Sequence, residues 1–431
     1  MNRLLTLAAF LFAAPAFAED WPRWRGPRGD GSWNAPTLPE KWPSGGPKVL
    51  WKRPIGGGYA GITTADGRLF TLDLKEPINR SAKTGPDGTE RVLCFDAKTG
   101  DVLWSHAYPV RYGDLGGYAN GPRSAPTVHE GKLYALGAVG HLFCFEAATG
   151  KIVWQRDTVK ECGARVPMWG FAASPLIDGE RVIVHLGAEP GGCFIAFDRN
   201  TGKEVWRSGA DEAGYATPIL VRTPSGRQLL AWTPERILGM NPDTGAALWK
   251  VPHKVTYGVS ITTPIYYDDV LFVSEYWNGS KAIRLGPSAP DHQIVWQDSK
   301  TLRGLMVPPL YRNGFVYAID KEHGITCFEL KTGKKRWDDE NRLTPAGRNP
   351  HLSMTWINNT DRVLILNAVG ELILARFTPD GVEEQSRAKV LNGRVWSQPG
   401  FADRHLFART DGGENWQRAT PLELICVELA K

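Results

Sequence analysis

The 431-residue chain is poor in charge and lacks the short motifs that mark common catalytic and metal sites. Only 23% of its residues are charged, and no run of five or six like charges occurs, so a nucleic-acid-binding patch is not indicated. The nine histidines show no His-Glu-x-x-His pattern, and the six cysteines form no Cys-x-x-Cys pair. We therefore predict no metal ligand and no catalytic residue, and no nucleic acid as partner.

Long apolar runs are also missing after the first residues. No later stretch reaches the ~18 apolar residues that a membrane-spanning helix needs, so no transmembrane segment is predicted. Arg3, the apolar residues 4–12 and a small-x-small site at 16–18 are typical of a signal peptide over residues 1–18, the alternative being a short buried helix. The net charge of +5 then falls to +4. We expect an exported protein, periplasmic or secreted, that is soluble after signal cleavage.

Glycine, proline and tryptophan are abundant, with 47, 31 and 17 copies, and they mark an internal repeat. The segment Phe-Asp-Ala-Lys-Thr-Gly-Asp-Val-Leu-Trp at 95–104 is repeated along the chain with the same internal spacing. In each copy an acidic or Asn residue precedes a Thr-Gly turn, and a Trp follows the turn. The turn glycines are Gly100, Gly150, Gly202, Gly245 and Gly333. The repeated tryptophans are Trp51, Trp104, Trp154, Trp206, Trp249, Trp296 and Trp337, the copy at Trp296 having lost its turn.

The spacing of these tryptophans predicts the fold. A mean interval near 48 residues between Trp51 and Trp337 is typical of a propeller or solenoid, and each unit contains about four short strands. We predict an all-β, eight-bladed β-propeller of four-stranded blades over residues 47–431, preceded by a leader arm at 19–46. The N-terminal strand at 47–51 should complete the last blade and so remove an exposed edge. Seven blades are the main alternative.

The repeated residues are expected to be structural. Glycine fits the turn position that needs a positive φ, and tryptophans at one repeated position are expected to pack between blades. Cys94, Cys144, Cys327 and Cys426 fall at one strand position and are predicted to be buried core residues. Cys162 and Cys193 lie outside that pattern, and export would permit a disulfide between them.

The Thr-Gly-x-x-x-Trp repeat, preceded by an acidic residue, resembles the tryptophan-docking repeat of pyrroloquinoline-quinone (PQQ)-type propellers. That family includes the quinoprotein alcohol dehydrogenases and the outer-membrane assembly protein BamB, and the resemblance covers roughly residues 47–431. The segment Trp-Pro-Arg-Trp-Arg-Gly-Pro at 21–27 is similar to the leader of exported members. A dehydrogenase of this family would hold PQQ with Ca²⁺ over the channel beside an adjacent Cys pair, which this chain lacks, as it also lacks the Cys-x-x-Cys-His of a covalent haem.

Polar and aromatic residues near the predicted inner strands form the candidate channel-mouth site. They are Tyr118, Asn120, Arg123, Trp169, Tyr215, Tyr257, Glu275, Tyr276, Trp277, Asn278, Asp320, Lys321, Glu322, His323, His351 and Trp396. Aromatic faces with Arg and carboxylates suit a planar anion, although packing at the channel mouth accounts for the same residues. Arg123 and Trp169 are the cofactor-binding candidates, because both flank an x-Ser-x-Pro strand start.

Two functions remain open at this point. The first is a non-catalytic, monomeric scaffold that binds an envelope or secreted protein partner, for which no cofactor is predicted. The second is a PQQ-dependent oxidoreductase acting on alcohols or sugars, with PQQ and Ca²⁺ as its cofactors. The resemblance indicates the fold and leaves both functions available.

Overall fold

The computed structural model describes residues 19–79, 81–82, 84–113, 115, 121–304, 306–345, 347, 349–412 and 422–430. The predicted signal peptide at 1–18 lies outside these residues, as do the site candidates Tyr118 and Asn120. Among the helices of the described part, none is long and apolar enough to cross a membrane.

The described strands form eight antiparallel four-stranded sheets, one of which gains a fifth, parallel strand. They are the blades of a propeller, so the prediction of an all-β, eight-bladed fold is confirmed. The leader contributes β1 (Ser32–Trp33) and the next strand is β2 (Lys48–Pro54). Blade 1 contains β3 (Thr63–Ala65), β4 (Arg68–Leu74), β5 (Gly88–Asp96) and β6 (Val102–Val110), and blade 2 contains β7 (Thr127–His129), β8 (Lys132–Leu136), β9 (His141–Glu146) and β10 (Ile152–Asp157). Blade 3 contains β11 (Leu176–Asp178), β12 (Arg181–Ala188), β13 (Gly192–Asp198) and β14 (Glu204–Ser208), and blade 4 contains β15 (Ile219–Thr223), β16 (Gly226–Trp232), β17 (Arg236–Met240) and β18 (Ala247–Pro252).

The other four blades follow in chain order. Blade 5 contains β19 (Ile265–Tyr267), β20 (Val270–Glu275), β21 (Gly279–Leu285) and β22 (His292–Asp298), and blade 6 contains β23 (Leu310–Arg312), β24 (Phe315–Asp320), β25 (Gly324–Glu329) and β26 (Lys335–Asp338). Blade 7 contains β27 (Leu352–Ile357), β28 (Arg362–Asn367), β29 (Glu371–Thr378) and β30 (Gly381–Lys389), and blade 8 contains β31 (Gly400–Ala402), β32 (His405–Arg409) and β33 (Glu423–Glu428). One short helix, α1 (Thr158–Cys162), follows β10, and a 3-10 turn (Thr256–Gly258) follows β18.

The ring closes with a strand from the other end of the chain. The first strands of neighbouring blades contact one another around the channel, as β3 does with β7 and β31. Blade 8 takes its outer strand from β2, which pairs antiparallel with β33 so that Lys48 lies opposite Glu428. The expectation that an N-terminal strand completes the last blade is therefore confirmed.

Each repeat copy forms a side-chain-bonded turn. In the first copy, the Asp96 carboxylate accepts hydrogen bonds from the backbone N–H groups of Lys98 and Thr99 at 2.9 and 2.8 Å, and Gly100 takes a φ of 73°. Short polar side chains favour such turns, and a residue with a Cβ is disfavoured at that φ. The aromatic ring of Trp51 covers Gly100, where a Cβ atom would lie 2.7 Å from the indole.

The repeated tryptophans connect neighbouring blades. The indole N–H of Trp104 donates to the Ala147 carbonyl at 3.0 Å, and that of Trp154 donates to the Arg199 carbonyl at 2.9 Å. Trp51, Trp206, Trp296 and Trp337 make the same type of bond to the next blade's turn.

Trp249 is the exception to this pattern. Its indole donates to the Gln228 side chain at 2.8 Å within its own blade, because the following blade has lost the Thr-Gly turn that would receive it.

The hydrophobic cores lie between neighbouring blades, and the cysteines belong to them. All six thiols are free and buried. Cys162 packs in the core between blades 2 and 3, whereas Cys193 packs in the core between blades 3 and 4. The disulfide left open by the sequence is not formed in this structure.

The leader arm runs inside the channel. Trp21 exchanges hydrogen bonds with Thr64 of blade 1, and β1 pairs in parallel with β27, the inner strand of blade 7. Trp21 and Trp33 are fully buried, and their rings pack on Phe401 of blade 8 at 4.9 and 4.7 Å. The leader therefore fills much of the channel at the level of the inner strands, and the loops preceding those strands form a mouth beyond it.

Candidate functional site

The mouth is built from two sets of loops that the blade topology brings to the same end. One set precedes the inner strand of each blade, and the other joins its second and third strands. Because consecutive strands run in opposite directions, both sets face the same side of the ring. Arg123, Trp169, Tyr215, Tyr257 and Trp396 lie in the first set.

Arg123 and Trp169 are in direct contact. The Arg123 guanidinium donates from Nε to the Trp169 backbone carbonyl at 2.6 Å. The Trp169 ring lies 5.7 Å from that of Tyr215 at an interplanar angle of 51°. The two cofactor-binding candidates are thus neighbours across blades 2 and 3, with Tyr215 of blade 4 beside them.

Tyr59 and Arg394 extend this cluster across blades 8 and 1. The Arg123 guanidinium lies 4.5 Å from the Tyr59 ring centroid, and Arg394 lies 4.1 Å from that of Trp396. Arg394 also donates to the Tyr59 hydroxyl at 2.8 Å and to Asp411 at 2.9 Å. We refer to Tyr59, Arg123, Trp169, Tyr215, Arg394, Trp396 and Asp411 as the mouth cluster.

Tyr59, Arg394 and Asp411 were missing from the sequence prediction. Two signals could have found two of them, since Tyr59 precedes the inner strand of blade 1 as Arg123 precedes that of blade 2, and Arg394 is two residues from Trp396. Asp411 lies two residues after the end of β32, and only the folded blade places it beside Arg394.

His351 lies under the mouth cluster. Its ring centroid is 5.8 Å from that of Trp396. Burial lowers its pKa to about 4, and the nearby positive charge of Arg394 acts in the same direction. His351 is therefore a neutral side chain at neutral pH.

The carboxylates near the mouth hold the loops in place. Asp411 accepts from the Trp396 backbone N–H at 3.0 Å as well as from Arg394. Glu275 accepts from the backbone N–H groups of Trp277, at 2.7 Å, and Asn278. Burial nevertheless raises the pKa of Glu275. These carboxylates therefore stabilise the loops by accepting hydrogen bonds from their backbone N–H groups.

Asp320 plays the same part in blade 6. It accepts backbone N–H bonds from Arg303, Glu322 and His323, and the imidazole of His323 lies 2.9 Å from the same carboxylate. Asp320 is fully buried, so its hydrogen bonds are needed to offset the loss of hydration.

A second aromatic group lies at the rim by blades 5 and 6. Tyr257 and Trp277 meet edge to face at 5.4 Å, and the Lys321 ammonium lies 4.5 Å from the Tyr276 ring centroid. Tyr257 is 66% exposed and has a φ of 56°, and Trp277 is 37% exposed. Met168, in the loop before the inner strand of blade 3, is 55% exposed. We refer to Tyr257, Tyr276, Trp277 and Lys321 as the aromatic rim.

The mouth cluster fits only part of a calcium-bound quinone. Its guanidinium groups and flat rings suit a planar anion. Calcium requires six to eight oxygen ligands, but the carboxylates described above already accept from backbone N–H or Arg groups. No group of three or more His, Cys, Asp or Glu side chains that could hold a metal ion is found among the described residues. Within the described part of the chain, the residues therefore do not fit the calcium ion of a PQQ–Ca²⁺ pair.

Comparisons with known proteins agree with this architecture. A family model described as outer membrane protein assembly factor BamB matches residues 88–339. BamB of Shewanella oneidensis is 24% identical over 329 residues, which cover 70% of this chain and 74% of that protein. The quinohemoprotein alcohol dehydrogenase of Comamonas testosteroni is 26% identical over 226 residues, 47% of this chain but only 31% of the dehydrogenase.

A solved structure shows the same fold. The crystal structure of BamB from Moraxella catarrhalis superposes with a TM-score of 0.58 at 16% sequence identity, and the match covers 89% of this chain and 99% of that one. Because the matched family model spans more than half of the sequence, this chain belongs to the family of PQQ-type repeat propellers described as outer membrane protein assembly factor BamB.

Proposed function

We propose that the protein is an exported, non-catalytic scaffold that binds a protein partner through the loops at the mouth. The observation that carries this proposal is the aromatic rim, where Tyr257 and Trp277 expose 66% and 37% of their surface. Aromatic side chains are enriched in the energetically dominant part of protein interfaces. The edge-to-face contact between the two rings limits their motion, so that less conformational entropy is lost when a partner binds.

The backbone at Tyr257 supports the same proposal. A positive φ in a residue with a bulky side chain costs free energy, and such residues cluster at functional sites. Here that conformation holds the ring against Trp277 while leaving 66% of Tyr257 exposed to solvent.

The loop carboxylates favour a scaffold over an enzyme. A general base must reach its substrate with a carboxylate oxygen in hydrogen-bonding distance. Glu275 and Asp320 use their oxygens to fix the loops that carry Trp277 and Lys321. Their charge therefore stabilises the surface that the partner would contact.

Site-specific photo-crosslinking tests this function. A benzophenone amino acid replaces Tyr257 or Trp277, and a matched probe replaces Val205, which is 50% exposed on an outer strand. We expect discrete crosslinked species with envelope proteins from the two rim positions and none from Val205. Loss of the Tyr257 crosslink in a Trp277→Ala background would support the shared surface. Equal crosslinking from all three positions, or none from the rim, would contradict it.

Export is part of the proposal and has its own test. The mature protein isolated from cell envelope or medium should begin at Glu19, by N-terminal sequencing, if residues 1–18 are removed as a signal. A chain that retains Met1 in the cytoplasm would refute the export of this protein.

A PQQ-dependent oxidoreductase acting on alcohols or sugars is the second candidate. The observation that favours it is that two guanidinium groups, those of Arg123 and Arg394, both lie against the aromatic ring of Tyr59. Absorbance titration with PQQ, with and without Ca²⁺, tests it together with dye-linked alcohol oxidation. Quinone binding that weakens in Arg123→Gln, accompanied by turnover, would replace the scaffold proposal. Absence of both signals would eliminate the enzyme.

A further inference from the structure

We infer that a cavity inside the channel, beside the leader arm, binds a small organic oxyanion. The cavity has a volume of about 290 Å³ and lies between the leader and the inner strands of blades 3, 4 and 5. It is separate from the mouth cluster and from the aromatic rim, and the inference does not depend on the proposed scaffold function.

The charge of the lining carries the inference. Arg23, Arg25 and Arg28 line the cavity, with Asp30 as the one carboxylate among the lining residues. Asp30 is within 4.0 Å of Arg28, and its Oδ1 accepts from the Ser32 backbone N–H and hydroxyl. Arg28 also pairs with the Glu19 carboxylate at 2.5 Å, so the excess positive charge of the lining comes from Arg23 and Arg25.

Two of these cations have no carboxylate in direct contact, and Asp30 attracts both of them only at longer range. Within the described part of the chain, no carboxylate oxygen lies within 4.0 Å of the Arg23 or Arg25 guanidinium. Arg23 donates to the Gly26 and Pro27 carbonyls at 3.3 and 2.9 Å, and Arg25 donates to the Asp30 and Pro309 carbonyls at 2.9 and 2.7 Å. Arg25 is only 3% exposed.

Arg25 is buried and Arg23 is half-buried, and a cation removed from water is costly unless a counter-charge is supplied. Burial lowers the pKa of both guanidinium groups, because removal from water disfavours their charged form. A bound anion in the cavity would offset it, and a planar guanidinium matches the oxygens of a carboxylate or phosphate.

Three hydroxyl groups add neutral donors to the same wall. Ser174 Oγ accepts from the Ala125 backbone N–H at 3.1 Å, and Thr217 Oγ1 accepts from that of Ser174 at 2.9 Å. Thr263 Oγ1 accepts from the Trp24 indole at 2.8 Å. Since each oxygen serves as an acceptor in these bonds, its own proton can be donated to a ligand oxygen.

The remaining lining sets the size and class of the ligand. Pro175, Pro218, Ile219 and the Tyr267 ring provide an apolar wall. At about 30 Å³ for each water-sized group, the cavity holds on the order of ten non-hydrogen atoms. The ligand class is therefore a small carboxylate or phosphate ester with a short carbon skeleton.

Isothermal titration calorimetry with malate and with inorganic phosphate tests the inference, against chloride at equal ionic strength. We expect saturable binding of at least one of the two probes, and the comparison tells carboxylate from phosphate recognition. Arg23→Gln should weaken that binding at least tenfold, whereas Arg165→Gln, on an exposed arginine paired with Glu189, should leave it unchanged.

A second variant separates binding from folding. Ile219→Phe reduces the free volume without removing charge, and it should also weaken binding while the circular dichroism spectrum stays the same. Saturable binding that is equal in the wild type, Arg23→Gln and Ile219→Phe would place the anion elsewhere and overturn the inference. No saturable binding of either probe would overturn it as well. Neither outcome affects the crosslinking test at the aromatic rim.

Discussion

The docking of each repeat tryptophan on a turn glycine gives a sharp prediction for Gly202→Ala. Gly202 has a φ of 69°, and a Cβ atom there would lie 2.6 Å from Cδ2 of Trp154. The same indole donates its N–H to the Arg199 carbonyl at 2.9 Å. A methyl group at 202 must therefore push the ring off the turn and stretch the hydrogen bond that links blades 2 and 3.

The cost has two parts, which a control variant separates. A non-glycine residue in the left-handed region costs about 1–2 kcal/mol, and overpacking a tight contact adds about 1–3 kcal/mol. Gly67, in the turn between β3 and β4, has a φ of 72° and no atom within 4 Å of the Cβ position. Gly67→Ala should therefore show the first cost alone, and Gly202→Ala the sum of about 2–5 kcal/mol.

Urea-induced unfolding, followed by tryptophan fluorescence and circular dichroism, provides the measurement. The midpoint of Gly202→Ala should fall further than that of Gly67→Ala, with an unchanged m-value. In a double-mutant cycle, Gly202→Ala should cost less in a Trp154→Leu background, because the clashing ring is gone. Equal losses in the two glycine variants, or strict additivity with Trp154→Leu, would refute the docking argument.

Two further predictions concern stability. Three buried histidines have a pKa lowered to about 4 by burial: His185, His253 and His351. Their contribution to the free energy of unfolding is complete above the pKa of unfolded histidine, near 6.5, and is lost as the pH falls towards 4, by roughly 1 kcal/mol per histidine at pH 5.5. The urea midpoint should therefore drop between pH 7.5 and 5.5, and it should drop less in His351→Gln. An equal drop in the wild type and the variant would contradict this prediction. Arg409 of blade 8 is fully buried and donates to the Leu72 and Gly56 carbonyls at 2.7 and 2.6 Å. Arg409→Leu should lower the free energy of unfolding by about 1–3 kcal/mol for each carbonyl left unpaired, and an unchanged melting temperature would disprove the role of this arginine in ring closure.

The architecture could be predicted because its determinants are local and repeated. One copy of the repeat specifies the turn through Asp96 and Gly100 and the contact to the next blade through Trp104. Counting the copies then gives the number of blades, and the missing outer strand of the last copy predicts the closure by β2. Only the closing pair of β2 with β33 joins segments that are distant in sequence.

The site could not be predicted to the same extent, since its contacts cross the ring. Tyr59 and Arg394 are more than 300 residues apart, yet the guanidinium of one donates to the hydroxyl of the other at 2.8 Å. Trp249 carries the repeat signature but bonds Gln228, because the partner turn was lost in the following blade. The leader motif at 21–27 marked an important segment without showing that it enters the channel.

Within the described part of the chain, the leader contacts the cavity in the channel but not the aromatic rim. Its hydrogen bonds reach Thr64 of blade 1, Val128 of blade 2, Thr263 of blade 5 and Trp356 of blade 7, so it links blades from different parts of the ring. A ligand bound among the leader arginines would strengthen those ties and stabilise the whole ring by linkage. A partner at the aromatic rim would contact loops outside them. An anion should therefore raise the melting temperature even when Trp277 is replaced by alanine, and the crosslinks from position 257 should persist in Arg23→Gln. If the anion fails to stabilise Trp277→Ala, or if the crosslinks from position 257 are lost in Arg23→Gln, the channel and the rim are one coupled site.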